Sequence, residues 1–353
     1  MNITTGRPGV FSEYTVETFY PGEAGRAVGI VCAAGGELPV EAVKITGKNE
    51  LALKFGQDGE GETLYHTALL LLENGVRTVY CVPVCGTEGE RTAESYRAGF
   101  AELERLEDIY AVLCDRDDDE VLGALKQHVN GMSDRQRERL GFAAPASPER
   151  DPLEMAKALA SERICVCAPM ASVGGVAHGV FLAAATAAAC VGAEDPSAGL
   201  SGFAPRGITA LSEQAEEEKI ERWIAGGVTA YETVGAGIEL IRLLSTRTAA
   251  GGAPDNTFRS LNTVMIIDNV LGSVRDALKL RLAGAKNNEA SRGAIKTQAA
   301  VELKKKLDAG VIEDYAVPVV TPSGEDPAVC VVELAFRVCT AVNQIHITAF
   351  VSV

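Results

Sequence analysis

The sequence is poor in several residue types from which functional sites are usually built. It contains four histidines and one tryptophan, aromatic side chains make up 5% of the chain, and 48 acidic residues outnumber 33 basic ones. The formal charge of −15 argues against a surface that wraps nucleic acid or anionic lipid. We therefore expect no direct contact with nucleic acid. The scarcity of histidine leaves few nitrogen ligands for zinc.

Segments that target a chain to a membrane are also missing. Met1–Arg7 contains no apolar stretch typical of a signal peptide. The longest apolar stretch, Val173–Ala193, is rich in Gly and Ala and contains His178, so it is typical of a buried helix. We expect synthesis in a cytoplasm and no direct membrane insertion.

The nine cysteines form no recognisable framework. Their number is odd, no secretion signal precedes them, and they include no CxxC pair. Cys165 and Cys167 occupy alternate positions of a strand-like run, where free thiols pack as small apolar side chains. Buried thiols are the favoured interpretation, with a zinc site as the alternative.

Strand-like and helix-like segments alternate up to residue 193. The predicted strands are Ala27–Ala33, Val76–Val84, Ile109–Cys114 and Arg163–Ala168, and the predicted helices are Leu64–Asn74, Thr92–Leu106, a helix from Asp115 toward Leu140, and Leu153–Ala160. This alternation predicts an α/β fold (α+β overall) with a mixed, largely parallel sheet flanked by helices. Val228–Val234 and Gly237–Leu244 follow as an antiparallel hairpin.

Two motifs allow either a structural interpretation or one as a ligand-binding or catalytic site. The acidic run Asp115–Glu120 suits a helix N-terminus, and a metal or acid–base cluster is the other interpretation. Val173–Gly179 lies where phosphate-binding loops occur, but it lacks GxxxxGK[ST] and GxGxxG, so the favoured interpretation is that its glycines let a helix approach the sheet closely. His178 is isolated, and no Ser-His-Asp or Cys-His set can be assembled. We expect no catalytic residue, cofactor or metal; an enzyme with a nucleotide near Val173–Gly179 is the competing hypothesis.

The C-terminal hundred residues contain two amphipathic helices and then strands. In Thr257–Leu282 one apolar stripe is predicted from Val264, Ile267, Leu271, Val274, Leu278 and Leu282, and in Glu289–Ala309 another from Ile295, Ala299, Leu303 and Leu307. Ile312–Val320 and Ala328–Val338 are predicted strands, the second with Val332, Leu334, Phe336 and Val338 on one face. Lys304, Lys305 and Lys306 form either a solvated face or a docking site for an acidic partner.

Both ends of the chain are predicted to be extended arms. Arg7–Tyr20 places Val10, Tyr14, Val16 and Tyr20 on one face and Phe11 and Phe19 on the other, and Asn343–Val353 places Ile345, Ile347, Ala349, Val351 and Val353 on one face. Unpaired apolar strands pair or aggregate. We therefore expect a subunit that lends strands to its neighbours. The predicted organisation is a β-arm (1–22), an α/β core (23–250), a C-terminal segment (251–340) and a second β-arm (341–353).

The order and spacing of several segments resemble contractile tail sheath proteins of bacteriophages and related injection systems. The segments are RPGVFSEYTVE, ENGVRTVYCVPV, FLAAATAAACVGAEDPSAGLSGFAPRGI, IERWIAGGVTAYET, GIELIRLLSTRT and RSLNTVMIIDNVLGSVRDALKLRLAGAKNNEASRGAIKT with LDAGVIEDY. The extra outward-facing domains of larger members have no counterpart, so the chain resembles a short, near-minimal sheath.

The resemblance implies a homopolymer of six-fold rings stacked helically around a tail tube, contracting to drive the tube through a cell envelope. The implied partners are other copies of the chain, the tail tube protein, and baseplate and tail-terminator proteins. The location implied is a virion tail or phage-tail-like particle, assembled in a bacterial host cytoplasm. By the same resemblance the lending strands include Val10, Phe11, Tyr14, Val16 and Phe19 at one end and Ile345, Ile347, Phe350 and Val351 at the other. The receiving edge comprises Val332, Leu334 and Phe336, and the tube-facing candidates are Lys296, Lys304, Lys305 and Lys306.

Overall fold

Buried apolar segments form one large sheet in the computed structural model, which describes residues 26–56, 63–87, 91–235, 237–282, 286–326 and 328–343. The strands are β1 (Ala27–Ala33), β2 (Val43–Ile45), β3 (Val79–Val84), β4 (Ile109–Cys114), β5 (Leu140–Ala143), β6 (Ile164–Ala168), β7 (Ala171–Val173), β8 (Val176–His178), β9 (Ala210–Leu211), β10 (Val228–Val234), β11 (Gly237–Leu240), β12 (Ala249–Ala250), β13 (Ala253–Pro254), β14 (Ile312–Tyr315), β15 (Val319–Pro322), β16 (Cys330–Glu333) and β17 (Phe336–Val338). The helices are α1 (Lys48–Phe55), α2 (Leu64–Glu73), α3 (Ala93–Leu103), α4 (Asp119–Asp134), α5 (Pro152–Leu159), α6 (Val180–Gly192), α7 (Glu217–Ala225), α8 (Leu261–Leu282) and α9 (Glu289–Asp308).

The large sheet has the strand order β11-β10-β6-β5-β4-β1-β3-β2. Neighbours are parallel, except that β2 and β11 pair antiparallel with β3 and β10. Every residue of β1, β3, β4, β5 and β6 is buried, as parallel strands covered on both faces require. The predicted α/β fold with a mixed, largely parallel sheet and the predicted β10–β11 hairpin are confirmed.

Helices cover the sheet from two sides. α1, α2 and α6 pack on one face through side chains such as Leu51, Leu71 and Phe181. α3, α4, α5 and α7 pack on the other face. Gly99 lets α3 approach β1 closely, because a Cβ at that position would lie 2.5 Å from Cγ1 of Val31. The two faces each have their own apolar core.

The helix predicted from Asp115 toward Leu140 is too long. α4 ends at Asp134, and Leu140–Ala143 forms β5 between β4 and β6. Gly141 permits this packing, since a Cβ there would lie 3.2 Å from Cγ1 of Ile164. A four-residue apolar strand soon after a helix carries too little periodicity to be separated from that helix in sequence.

The apolar stretch that begins at Val173 is only partly helical. β7 and β8 form a hairpin whose turn uses Gly174 and Gly175 at φ +58° and +88°, a backbone conformation that favours glycine. α6 then starts at Val180, and Gly179 allows a close approach, because a Cβ there would lie 2.2 Å from the carbonyl oxygen of Pro145. No helix in the described ranges has the length and apolar character needed to cross a membrane.

α8, α9 and β14–β17, which we call the C-terminal segment, have a separate apolar core. Its buried members are Ile266, Val270, Val274, Ala299, Leu303, Val311 and Ile312. The predicted stripe of α9 is confirmed at Ala299 and Leu303. The predicted stripe of α8 is wrong at Leu271, which is 38% exposed, because the first turns of α8 pack on the sheet and the later turns on α9.

The two strands predicted in this segment are each broken in two. β14 pairs with β17 and β15 with β16, forming one antiparallel ribbon with a register shift near Ile312. Pro318 is buried at the break between β14 and β15, and proline cannot donate a ladder hydrogen bond. Side-chain alternation nevertheless holds: Val332, Leu334, Phe336 and Val338 are half-buried, whereas Glu333 and Arg337 are exposed. We call β14–β17 the ribbon.

Candidate assembly interface

The side chains of the acidic run Asp115–Glu120, which follows β4, have structural roles. Asp115 is the first of them. Its buried carboxylate accepts hydrogen bonds from the backbone N–H of Ala33 (2.8 Å), the hydroxyl of Tyr96 (2.5 Å) and the hydroxyl of Thr63. Burial and the adjacent carboxylate raise the pKa of Tyr96, so its hydroxyl remains a donor. Asp115 therefore links the ends of β1 and β4 to α3 and to the residue before α2.

The following carboxylates are paired locally. Asp117 accepts a hydrogen bond from a backbone N–H in the loop after β5 (2.7 Å). Asp118 is the N-cap residue of α4 and pairs with Arg116 at 2.6 Å, which holds the pKa of the Asp118 carboxyl below its usual range. Asp119 pairs with Arg150. Across the described ranges, no group of three or more His, Cys, Asp or Glu side chains is arranged to hold a metal ion.

Thiols and His178 also have packing roles. Cys165 and Cys167 share one face of β6, as predicted, with their sulfur atoms 3.8 Å apart. All nine cysteines are free, and burial raises the pKa of the Cys167 thiol, which disfavours the thiolate that binds zinc. Nδ1 of His178 accepts a hydrogen bond from the backbone N–H of Val180 (3.1 Å) at the start of α6.

α8 is fastened to the core by a buried ion pair that the sequence did not reveal. Arg163 donates two hydrogen bonds of 2.9 Å to the Asp268 carboxylate, and Tyr110 donates a third of 3.1 Å. Burial raises the pKa of Asp268, opposed by its bonds with Arg163. In the sequence, the one indication of this ion pair is Asp268 itself, a charged residue among the apolar positions of α8.

A second ion pair between α8 and the core forms a further salt bridge, later along the helix. Both terminal nitrogens of Arg275 donate to the Glu138 carboxylate. Between the two bridges, α8 and the loops before β4 and β5 enclose a cleft of about 550 Å³. The C-terminal segment is therefore joined to the core by the first turns of α8 and by these two ion pairs.

The described chain begins and ends beside α8. Arg26, the first described residue, stacks over the ring of Tyr110 at 4.1 Å, and Tyr110 contacts Asp268 of α8. Near the other end, Ala341 passes Gly199 so closely that a Cβ on Gly199 would lie 3.2 Å from its Cβ. Asn262 of α8 holds that loop through the carbonyl oxygens of residues 196 and 198. The described chain therefore begins and ends near the junction of the core with the C-terminal segment.

The predicted receiving edge lies on the ribbon. Val332 is on β16, Phe336 is on β17, and Leu334 lies between them; all three are half-buried. Leu334 and Phe336 pack against the core of the C-terminal segment. In the described part of the chain each ribbon strand pairs on one side only, so the opposite edge of each has no strand partner there.

The tube-facing candidates are all on α9. Lys296, Lys304 and Lys305 are exposed and Lys306 is half-buried. Lys304 pairs with Asp308, and Lys305 contacts Glu302 at 2.9 Å. Three of the four lysines are therefore open to solvent, and Lys304 and Lys305 have their charge partly balanced within the helix.

The predicted lending strands fall outside the described residues. These are Val10, Phe11, Tyr14, Val16 and Phe19, and Ile345, Ile347, Phe350 and Val351. Their pairing remains a prediction.

Comparison with known sequences gives one family. Residues 253–352 match the family described as the phage tail sheath C-terminal domain. This range takes in α8, α9 and the ribbon. No curated protein sequence matches the chain.

Solved structures share the fold over nearly the whole chain at low identity. A chain of the anti-feeding prophage baseplate is 13% identical, with 99% of this chain and 100% of that one covered and a TM-score of 0.75. The sheath of an extracellular contractile injection system in its contracted state is 12% identical, with coverage of 100% and 99% and a TM-score of 0.74. The sheath tail protein of Desulfitobacterium hafniense is 11% identical, with coverage of 94% and 100% and a TM-score of 0.69. These likenesses establish the fold.

Proposed function

We propose that this chain, whose residues 253–352 match the phage tail sheath C-terminal domain family, is a structural subunit of a contractile tail sheath. Its likeness to chains of sheath and baseplate assemblies supports a sheath-subunit role. The subunits form six-fold rings stacked helically around a tail tube, in a phage tail or phage-tail-like particle assembled in a bacterial cytoplasm. The role is mechanical and not enzymatic.

One observation supports this proposal most strongly: among the described residues, each strand of the ribbon has one edge without a strand partner. Two strands alone form a marginal sheet in water, and an unpaired strand edge recruits further strands. The inner face of the ribbon already packs on α8 and α9. Added strands therefore extend a sheet that has its own core beneath it.

The added strands are the terminal arms of neighbouring copies. An N-terminal arm (1–22) and a C-terminal arm (341–353) pair with the ribbon of adjacent subunits, and the edge marked by Val332, Leu334 and Phe336 receives one of them. Main-chain hydrogen bonds supply the affinity and alternate side chains the specificity. The proposal is supported by the described ends of the chain, since Arg26 and Ala341 both lie near α8, the helix that leads into the segment carrying the ribbon.

The tail tube contacts α9. Lys296, Lys304, Lys305 and Lys306 form a positive surface on a chain of net charge −15, and such a surface suits an acidic partner. Baseplate and tail-terminator proteins bind the ends of the polymer.

Contraction follows from contacts of two kinds. Strand pairs between arms and ribbons persist while the cores (23–250) move as rigid bodies and re-form their mutual contacts. The extended sheath is a trapped state of higher free energy. Head-to-tail contacts that do not close generate the helical array.

Expression followed by electron microscopy tests the proposal. We expect the purified chain to form tubular polymers with helical order, alone or with tail tube protein. A double substitution, His346→Pro/Ile347→Pro, removes one N–H from each edge of the C-terminal arm and is expected to abolish polymers. His346→Val/Ile347→Val keeps both N–H groups and should polymerise normally. A wild-type chain that stays monomeric at high concentration with tube present contradicts the proposal.

A further inference from the structure

The cleft beside α8 has a buried hydrogen-bond acceptor without a donor. This cleft, of about 550 Å³, lies between the ion pairs of Asp268 and Arg275, and Arg26 forms part of its wall. Asn269 of α8 lines it and is only 9% exposed, yet its side-chain oxygen Oδ1 has no hydrogen-bond partner among the described residues. Because a buried acceptor without a donor is costly, Oδ1 requires an N–H or O–H group from an occupant of the cleft.

Almost one turn further along, α8 has a glycine on the same wall. Gly272 lines the cleft, and a Cβ built on it would have no described atom within 4 Å. Glycine in a helix interior is less stable than alanine, although the described chain leaves room for a methyl group here. Asn269 and Gly272 are neighbours on one helix face, since residues three apart lie side by side. An occupant whose backbone passes close to the helix explains the glycine.

The charged side chains around the cleft already have oppositely charged partners. The pairs are Arg135–Glu104, Arg137–Glu107, Arg275–Glu138 and Lys279–Asp276. These pairs leave little net charge to attract a charged ligand. An amide oxygen and bare helix backbone instead suit a neutral peptide backbone, which brings its own N–H groups.

The position of Arg26 restricts the choice of peptide. Arg26 is the first described residue, and it stacks over the ring of Tyr110 at 4.1 Å in the cleft wall. The three residues before it, Glu23–Gly25, reach at most about 10 Å from it, so they pass through the cleft or directly beside it. Ala24 and Gly25 are small, as a close approach to Gly272 requires.

We propose that Glu23–Gly25 of the same chain occupy this cleft as an extended strap, in which a backbone N–H donates to Oδ1 of Asn269 and the chain passes over Gly272. The strap ties the start of the core to α8 at a third place, beside the two ion pairs. It lies outside the predicted arm (1–22), so that arm stays available to other copies. The inference concerns a single chain and does not depend on polymerisation.

Hydrogen–deuterium exchange of the full chain tests the inference, in the His346→Pro/Ile347→Pro background at two protein concentrations. We expect the amides of Glu23–Gly25 to be protected equally at both concentrations, because the strap is part of its own chain. Asn269→Ala should speed their exchange about fivefold or more, since it removes the acceptor. Asn130→Ala, at a half-buried position of α4 away from the cleft, is the matched control and should leave the exchange unchanged.

Melting temperature gives a second test through Gly272→Ala. Gly123→Ala on α4 is the matched control, at a helix glycine whose added Cβ also has no described atom within 4 Å. The control should raise the melting temperature by about 1–3 °C, because alanine stabilises a helix. Gly272→Ala should give no such rise and should speed exchange at Glu23–Gly25, because its methyl group meets the strap.

Three results would overturn the inference. Unprotected amides at Glu23–Gly25 in the unsubstituted cleft would show that the cleft is solvated. A rise in melting temperature with Gly272→Ala equal to that of the control would show that no backbone passes close to α8. Protection that appears only at the higher concentration would place a segment of another copy in the cleft. Failure of the wild-type chain to polymerise contradicts the proposed function alone.

Discussion

The large sheet and the ribbon both contain apolar strands, but the two regions differ in how far those strands are buried and paired. The residues of β1, β3 and β4 are buried throughout, with strands on both sides and helices on both faces. The strands β15 and β16 have an exposed face and one unpaired edge in the described chain. The central strands of the large sheet have partners on both faces and both edges within the described chain, whereas the ribbon has apolar side chains and backbone groups without partners there.

This difference separates stability from assembly. Substitutions in the large sheet should lower the free energy of unfolding, whereas substitutions in the ribbon should mainly weaken polymers. The first three predictions below concern stability and are best measured in the monomeric His346→Pro/Ile347→Pro background, so that assembly does not add to the measured stability.

Truncating matched phenylalanines gives the largest expected contrast. Phe142 on β5 is fully buried, and Phe142→Ala should lower the free energy of unfolding by about 3–5 kcal/mol. Phe336→Ala on the half-buried side of the ribbon should cost about 1–2 kcal/mol. Urea denaturation followed by circular dichroism measures both. Equal costs would show that the ribbon is as much a part of the folded core as β5 is.

Breaking the link between the two regions should have the next largest effect. Asp268→Asn leaves the Arg163 guanidinium without its charged partner, and we expect a loss of about 2–4 kcal/mol. Asp276→Asn on the same helix removes an exposed pair with Lys279 and should cost at most about 0.5 kcal/mol. The same denaturation assay applies. A small, equal effect of both substitutions would contradict a buried anchor at Asp268.

Acid should weaken the core through His128. Its Nε2 lies 2.6 Å from Nη1 of the buried Arg139, and burial together with that guanidinium lowers the pKa of His128 to about 3. The unfolded chain, with a histidine pKa of about 6.5, binds the proton first. Stability therefore falls as pH drops from about 6.5 toward about 3, by up to about 1.4 kcal/mol per pH unit from this group. His128→Gln should reduce that slope, as measured by urea titrations at several pH values; an unchanged slope would contradict a neutral buried imidazole.

Reversing charge on α9 should change stability least and tube binding most. Lys296→Glu/Lys304→Glu alters exposed side chains, so we expect an unchanged melting temperature and polymers of normal length without tube protein. Co-sedimentation with tail tube protein should decrease and should depend on salt concentration. Lys54→Glu/Lys157→Glu, which makes the same change in net charge at exposed lysines of α1 and α5, is the matched control. Equal loss of tube binding in both variants would point to net charge instead of a specific surface.

Local pattern was sufficient to predict much of the core. Ala27–Ala33 and Ile109–Cys114 are uninterrupted apolar runs, and both are strands with the predicted bounds. β5 was missed because its four residues follow a helix closely, and α1 because only Leu51 among its residues is buried. β5 forms by pairing with β4 and β6, whereas α1 packs on the neighbouring α2 and β2.

The candidate interface was predictable only in part. Alternation correctly separated the half-buried Val332 and Phe336 from the exposed Glu333. The break at Pro318 and the register shift near Ile312 were not visible. The Arg163–Asp268 bond joins residues 105 positions apart, and no local pattern encodes such a pairing.

The length of α8 has a mechanical consequence. Its 22 residues span about 33 Å at about 1.5 Å per residue. A tilt of about 10° at the sheet end would displace the far end by about 6 Å, more than the spacing of about 4.8 Å between paired strands. In the sheath proposed above, the ion pairs of Asp268 and Arg275 would hold α8 rigidly to the core, so that a force on the core of one subunit is transmitted along α8 to the ribbon and to the strands paired with it.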